Sequence, residues 1–186
     1  MGNRLYVGVH DSGKTTSLYR HIGVARNARR PVVVIDSATD HKDRSLFYRL
    51  LTWHADDCVG IEYPRTAANP TQRLSETVLD AETGKVVMID VSFYLEEGHR
   101  LMDPKEKRVT RRRYQDEAAD VLGVVCDRMS IGGLRNVLVV MDEIELTTGI
   151  VSCARTIAKH GGEVHVALHP PLVAYELSDE FERFVL

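Results

Sequence analysis

Apolar residues along this chain gather in short, unalternating runs, and the stretches between them are longer, polar and helically spaced. Runs rich in Val, Ile or Leu occupy residues 4–10, 31–36, 85–91, 136–142 and 163–168, with a weaker one at 58–63. A strand with one wet face alternates apolar and polar positions, whereas a strand covered on both faces does not. These runs therefore predict a mostly parallel sheet. Residues 14–26, 44–53, 72–80, 111–129 and 148–159 read as the helices between them, with Trp53 on the apolar side of the second. Strand and helix in alternation predict an α/β fold, a mostly parallel doubly wound sheet with helices on both faces.

The first strand runs into Gly-Val-His-Asp-Ser-Gly-Lys-Thr at residues 8–15, and a polar helix start follows. This is a complete GxxxxGK[ST] phosphate loop in its expected setting. Glycines at both ends let the backbone curl so that successive N–H groups and the positive end of the helix face an anion. The candidate nucleotide contacts are Gly8, His10, Asp11, Ser12, Gly13, Lys14, Thr15 and Thr16. Lys14 is placed to reach the β/γ-phosphates, and the Thr15 hydroxyl to ligate Mg²⁺. ATP with Mg²⁺ is the cofactor pair this implies.

A second landmark closes the 136–142 run, which ends in Asp142 and is followed directly by Glu143. A hard cation takes oxygen ligands, so a strand-end aspartate beside a phosphate loop suits Mg²⁺. Glu143 is then placed to polarise a water as general base. Strand-end acids also serve as helix caps, and that reading stays open for Asp36 and Asp90, which close two other runs.

Length and composition narrow the picture. The 186 residues, 44% hydrophobic and 27% charged, suit a single phosphate-loop domain spanning 1–186. No run reaches the roughly 18 apolar residues a membrane span needs, and no signal-peptide layout is present, which leads to the expectation of a cytoplasmic protein. Cys58, Cys126 and Cys153 are far apart in sequence and read as buried thiols rather than a disulfide or zinc framework. A net charge of −3 means that nucleic-acid contact has to come from a local patch. Lys105, Lys107, Arg108, Arg111, Arg112 and Arg113 form one, against the single acid Glu106. Such a patch supplies salt-sensitive, sequence-independent DNA affinity, or an arginine finger for a neighbouring subunit. It also reads as a solvated loop, with residues 96–110 the expected mobile stretch.

The order of these blocks resembles the HerA/FtsK superfamily of DNA-pumping phosphate-loop ATPases. Four segments carry the resemblance: GVHDSGKTTSL at 8–18, GKVVMIDVS at 84–92, NVLVVMDEIE at 136–145, and ARTIAKHGGEVHVALHPP at 154–171. The resemblance implies the phosphate-loop fold of the additional-strand, catalytic-glutamate type, with the third block as the Walker B strand. By the same resemblance Arg155 corresponds to the family's helix arginine, and His169 stands where a γ-phosphate-sensing glutamine is expected. Neutral imidazole has one donor and one acceptor, so His169 either orients water and phosphate or packs beside Pro170 and Pro171.

The implied activity is ATP hydrolysis coupled to translocation of double-stranded DNA in a homo-oligomeric ring, with a hexamer as the form the resemblance implies. The small size looks like the compact genome-packaging ATPases of tailless membrane-containing viruses, which would add capsid components as partners and a host-cytoplasmic or virion-associated setting. Two other readings share the phosphate loop. One is a small-molecule or nucleoside kinase, with the basic segment as its lid; the other is a nucleotide-binding adaptor with little turnover. A GTP switch is disfavoured because no Asn-Lys-x-Asp motif occurs.

Overall fold

The structure, a computed structural model, describes residues 2–9, 12–37, 55–91, 103–168 and 179–186. Among them are the strands β1 (Arg4–Val7), β2 (Val32–Asp36), β3 (Cys58–Glu62), β4 (Val86–Asp90), β5 (Leu138–Asp142), β6 (Glu163–Leu168) and β7 (Glu182–Val185). They form one sheet in the order β3-β4-β2-β5-β6-β1-β7, and every neighbouring pair is parallel. The described helices of two turns or more are α1 (Lys14–Asn27), α2 (Pro70–Leu79), α3 (Pro104–Ser130) and α4 (Thr148–Lys159).

The absence of alternation has a direct structural cause. Strands β2, β4 and β5 are buried at every position. Val33 and Ile35 join one core with Leu74 of α2, Val121 of α3 and Ile150 of α4, while Val32 and Val34 join a second core with Leu18 and Ile22 of α1. Both faces are covered, so apolar residues are needed at odd and even positions alike.

Parallel register brings all carboxyl ends to one edge. Asp36 pairs with Asp90 and with Asp142, and Asp90 with Glu62, so four acids stand in a row across β3, β4, β2 and β5.

Two features depart from the sequence reading. β7, an exposed four-residue edge strand beside β1, was not anticipated. The long basic helix starts at Pro104 rather than residue 111. Its start is a capped turn: Lys105 N donates to Asp103 Oδ1 at 2.7 Å, and Pro104 stands at the first helical position. Residues 104–110 are therefore helix, not loop. The 44–53 segment with Trp53 lies outside the described residues.

Beneath α1 lies a buried polar cluster. The Tyr6 hydroxyl and His21 Nε2 are hydrogen-bonded at 2.6 Å, and the His21 and His165 rings meet edge to face with centroids 4.6 Å apart. His165 also contacts Glu163 at 3.2 Å, whose carboxylate is 2.9 Å from Arg30. Although an acid adjoins His165, burial and the neighbouring His21 dominate and hold its pKa down to about 4. It is thus a neutral hydrogen-bonded ring at pH 7, not half of an ion pair.

An unfolded histidine protonates near 6.5. Stability from this site is therefore full above that pH and is lost as the pH falls through about 4. Urea unfolding at pH 7, 5.5 and 4.5 should reveal a loss of up to about 3 kcal/mol, flattened in His165→Gln. A loss of the same size in the variant would assign it to other groups.

Candidate functional site

The loop between β1 and α1 is held at both ends. Gly8 N donates to Leu168 O of β6 at 3.3 Å, and Ser12 N donates to Val9 O at 3.3 Å. A Cβ on Gly8 would lie 2.3 Å from Ser12 Oγ and 2.7 Å from the Leu186 carbonyl oxygen, so the chain closes too tightly here for a side chain. Gly13 has φ 92 and caps α1 without a side-chain hydrogen bond. A helix N-terminus built on glycine in this way keeps its amides open toward an anion.

Lys14 is buried, and its ammonium donates to Gly8 O at 2.8 Å and Val9 O at 2.7 Å. It is folded back over the loop's own carbonyls. On the other side, Thr15 Oγ1 donates to Asp142 Oδ2 at 2.9 Å, a side-chain bond that joins the phosphate loop to the end of β5. The second Asp142 oxygen, Oδ1, is buried and has no hydrogen-bond partner among the described residues. Burial, then Asp36 and Glu143, push the Asp142 carboxyl up to about 8, against the pull of Thr15 and Lys14. A carboxylate desolvated among other acids gains most from a nearby cation.

This pairing of hydroxyl and orphaned carboxylate oxygen fits Mg²⁺, which takes few protein ligands and completes its shell with phosphate oxygens and water. Among the described residues no cluster of three or more His, Cys, Asp or Glu forms a metal cage, and a nucleotide-bound Mg²⁺ does not require one.

Immediately after β5 the backbone turns sharply. Glu143 has φ 58, a left-handed conformation that is unfavourable for a residue with a Cβ. Two hydrogen bonds hold it there: Glu143 N donates to Ala167 O at 3.0 Å, and Ser37 Oγ donates to Glu143 O at 2.9 Å. Ser37 N also donates to Asp142 O at 3.3 Å. Ser37, which directly follows β2, thus clamps the main chain of both acids. The sequence reading passed over it; the only available signal was a small polar residue next to the strand-end Asp36.

Comparison with solved structures gives a match over 100% of this chain and 74% of the other, at TM-score 0.56 and 7% identity. That structure is the genome packaging NTPase B204 from Sulfolobus turreted icosahedral virus 2 in complex with sulfate. This chain has a phosphate-loop NTPase fold. The seven-stranded parallel sheet and helices on both faces agree with it, and the expected likeness to viral genome-packaging ATPases holds at the level of fold. A second structure of B204, in complex with AMP, aligns over 90% of this chain and 65% of that one at TM-score 0.44 and 8% identity. No protein-family model matches the sequence. No curated protein matches it either.

Within this NTPase fold the remaining candidate residues are distributed unevenly. Lys14, Thr15 and Asp142 come together, with Glu143 adjoining them in the chain. Arg155 is on the exposed side of α4, where its guanidinium donates to Glu180 Oε1 at 2.6 Å. Lys105 and Arg112 are exposed on α3. Half-exposed Arg113 donates to Glu117 Oε1 at 3.1 Å, and Arg65 binds the same carboxylate. Lys107, Arg108 and Arg111 belong to the helix backbone, but their side chains are outside the described set. His10, Asp11 and His169 also lie outside the described residues. No described helix is long and apolar enough to cross a membrane.

Proposed function

We propose that this chain is a single-domain, ATP-hydrolysing motor subunit that translocates double-stranded DNA, with viral genome packaging as its setting. The observation that carries the hydrolytic part is the Thr15–Asp142 bond, with the orphaned Asp142 oxygen beside it and Glu143 next in the chain. Those residues are what a nucleotide–Mg²⁺ site with a general base needs, at the edge of the sheet where the phosphate loop lies.

In the proposed cycle Lys14 leaves the Gly8 and Val9 carbonyls for the β/γ-phosphates, which join the loop amides. Thr15 and Asp142 hold Mg²⁺, which when bound neutralises phosphate charge. Glu143 accepts a proton from the attacking water. Completion of the site from a neighbouring subunit falls to Arg155 or to one of Arg111, Arg112 and Arg113, and sensing of the γ-phosphate to His169. Such sharing calls for a homo-oligomeric ring, with a hexamer expected from the family resemblance and capsid components as further partners. Exchange of Glu180 for phosphate would free Arg155 for the trans role.

The DNA part rests on α3. Six cations fall in residues 105–113, and the helix carrying them reaches the sheet edge through side chains. Gln115 Nε2 donates to Glu145 Oε2 at 2.7 Å just beyond β5, while Arg65 bridges Glu117 and the Val91 carbonyl beyond β4. A grip on DNA phosphates by the start of α3 would thus have mechanical ties to both strand ends. Continuity of 104–130 as one helix counts against a hinged kinase lid. The similar fold of B204, named as a genome packaging NTPase, favours packaging among the uses of such motors.

ATPase rate with and without double-stranded DNA, at low and moderate salt, tests this reading. Stimulation of several-fold should weaken with salt and shrink in an Arg111→Ala/Arg112→Ala/Arg113→Ala variant. Turnover indifferent to DNA, or phosphate transfer to an added nucleoside, would replace the motor with the adaptor or kinase reading.

A further inference from the structure

Away from the nucleotide site, α3 and α4 pack on each other and bring two of the three free cysteines together. The Cys126 thiol donates to the Cys153 carbonyl oxygen at 3.6 Å, which sets its sulfur against the Cys153 residue across the helix contact. Both are only partly buried, at the margin of the larger core. They are separated by 27 positions of sequence that include all of β5, Asp142 and Glu143.

We propose that Cys126 and Cys153 are a redox-active dithiol, converted by a hydroperoxide-class oxidant to a disulfide that bridges α3 and α4. The Cys126 sulfur already touches the Cys153 residue, so the bond would form by rotation of the Cys153 thiol toward it, and partial exposure gives a small oxidant access.

The pair is also chemically unequal. Contact with Cys126 draws the Cys153 thiol down to about 7, and the same contact, then burial, pushes Cys126 up. Cys153 is the nucleophile and Cys126 the resolving thiol. The Cys153 thiolate attacks one peroxide oxygen: an S–O bond forms, the O–O bond breaks, and the hydroxide released takes up a proton to become water. Cys126 sulfur then attacks the Cys153 sulfenic acid; the S–S bond forms, the S–O bond breaks, and the oxygen leaves as a second water with the Cys126 proton. Two thiols are oxidised by two electrons, and one peroxide is reduced to two waters.

The disulfide would close a loop of about thirty residues around β5, which constrains the unfolded chain most and should raise the thermal midpoint by roughly 5–10 °C. Cys58 is a built-in control, because it lies on β3 and burial raises its pKa.

The test is treatment of the reduced full chain with a small molar excess of hydrogen peroxide, followed by thiol titration under denaturing conditions and a non-reducing peptide map. Loss of two of three thiols, a linked peptide pair containing Cys126 and Cys153, and a midpoint increase reversed by dithiothreitol are expected. Cys126→Ser should instead leave Cys153 as a sulfenic acid trapped by dimedone. Free Cys126 and Cys153 after Cys58 has reacted, or cross-links only between chains, would overturn the proposal whether or not the protein hydrolyses ATP.

Discussion

Glu143→Gln is expected to lower ATP turnover by about 10²–10⁴-fold while nucleotide affinity changes little, because the substitution removes the proposed general base but preserves size and hydrogen-bonding reach. The backbone argument makes this more than a motif prediction. Glu143 is held at φ 58, a conformation costing on the order of 1–3 kcal/mol for a residue with a Cβ, and the surroundings must compensate for it. The restraints are the Ala167 carbonyl and the Ser37 hydroxyl, both acting on the Glu143 main chain.

Glutamine keeps those main-chain bonds, so folding stability should be unchanged. Ser37→Ala removes one of them, and kcat should fall several-fold with KM nearly constant. Ser37→Thr, which retains the hydroxyl, should recover much of the loss. Steady-state kinetics on the three variants, with binding of a fluorescent nucleotide measured separately, decides the point. Glu143→Gln turnover near the parent rate would remove Glu143 from the chemistry, and the motor reading with it.

Lys14→Ala is the second large effect, and it falls on binding. The Lys14 ammonium is buried and spends two hydrogen bonds on Gly8 O and Val9 O, so it is already desolvated and aimed into the loop before any ligand arrives. Exchanging those carbonyls for phosphate oxygens brings charge-assisted bonds of about 1.5–3 kcal/mol each. Nucleotide affinity should therefore fall by roughly 30- to 1000-fold in the alanine variant. Val9 is exposed but Gly8 is buried, so the variant leaves one buried carbonyl without its donor and the unfolding midpoint of the nucleotide-free protein should fall modestly. Calorimetric titration with ATP and Mg²⁺ reads this directly. Retained affinity would mean that the loop amides alone hold the nucleotide.

Much of the site was legible because its residues are close in sequence. The phosphate loop is one continuous octapeptide, and Asp142 and Glu143 are adjacent at the end of one apolar run, so chemistry and secondary structure could be read from the same window. Basic residues 105–113 were equally visible, yet their helix was placed too late in the chain. The Asp103–Pro104 start was a local capping signal, but the charge run that followed has no apolar stripe to mark a helix.

Ser37 was invisible for a different reason. Its partners are more than a hundred residues away, and only the neighbouring positions of β2 and β5 in the sheet bring them within hydrogen-bonding distance. Cys126 and Cys153 are likewise brought together only by the packing of α3 on α4, with no signal in the sequence to connect them.

By itself the sequence determined strands β1 to β6, the burial of the central ones on both faces and the candidate phosphate-loop and strand-end groups, because each depends on local composition and period. Tertiary structure alone decided the strand order that aligns Glu62, Asp90, Asp36 and Asp142, the Thr15–Asp142 bond, the pairing of Arg155 with Glu180, and β7 as an edge strand. Those features are non-local pairings. Their free energy comes from packing two helical layers on a parallel sheet, and no short stretch of chain carries the information by which they are chosen.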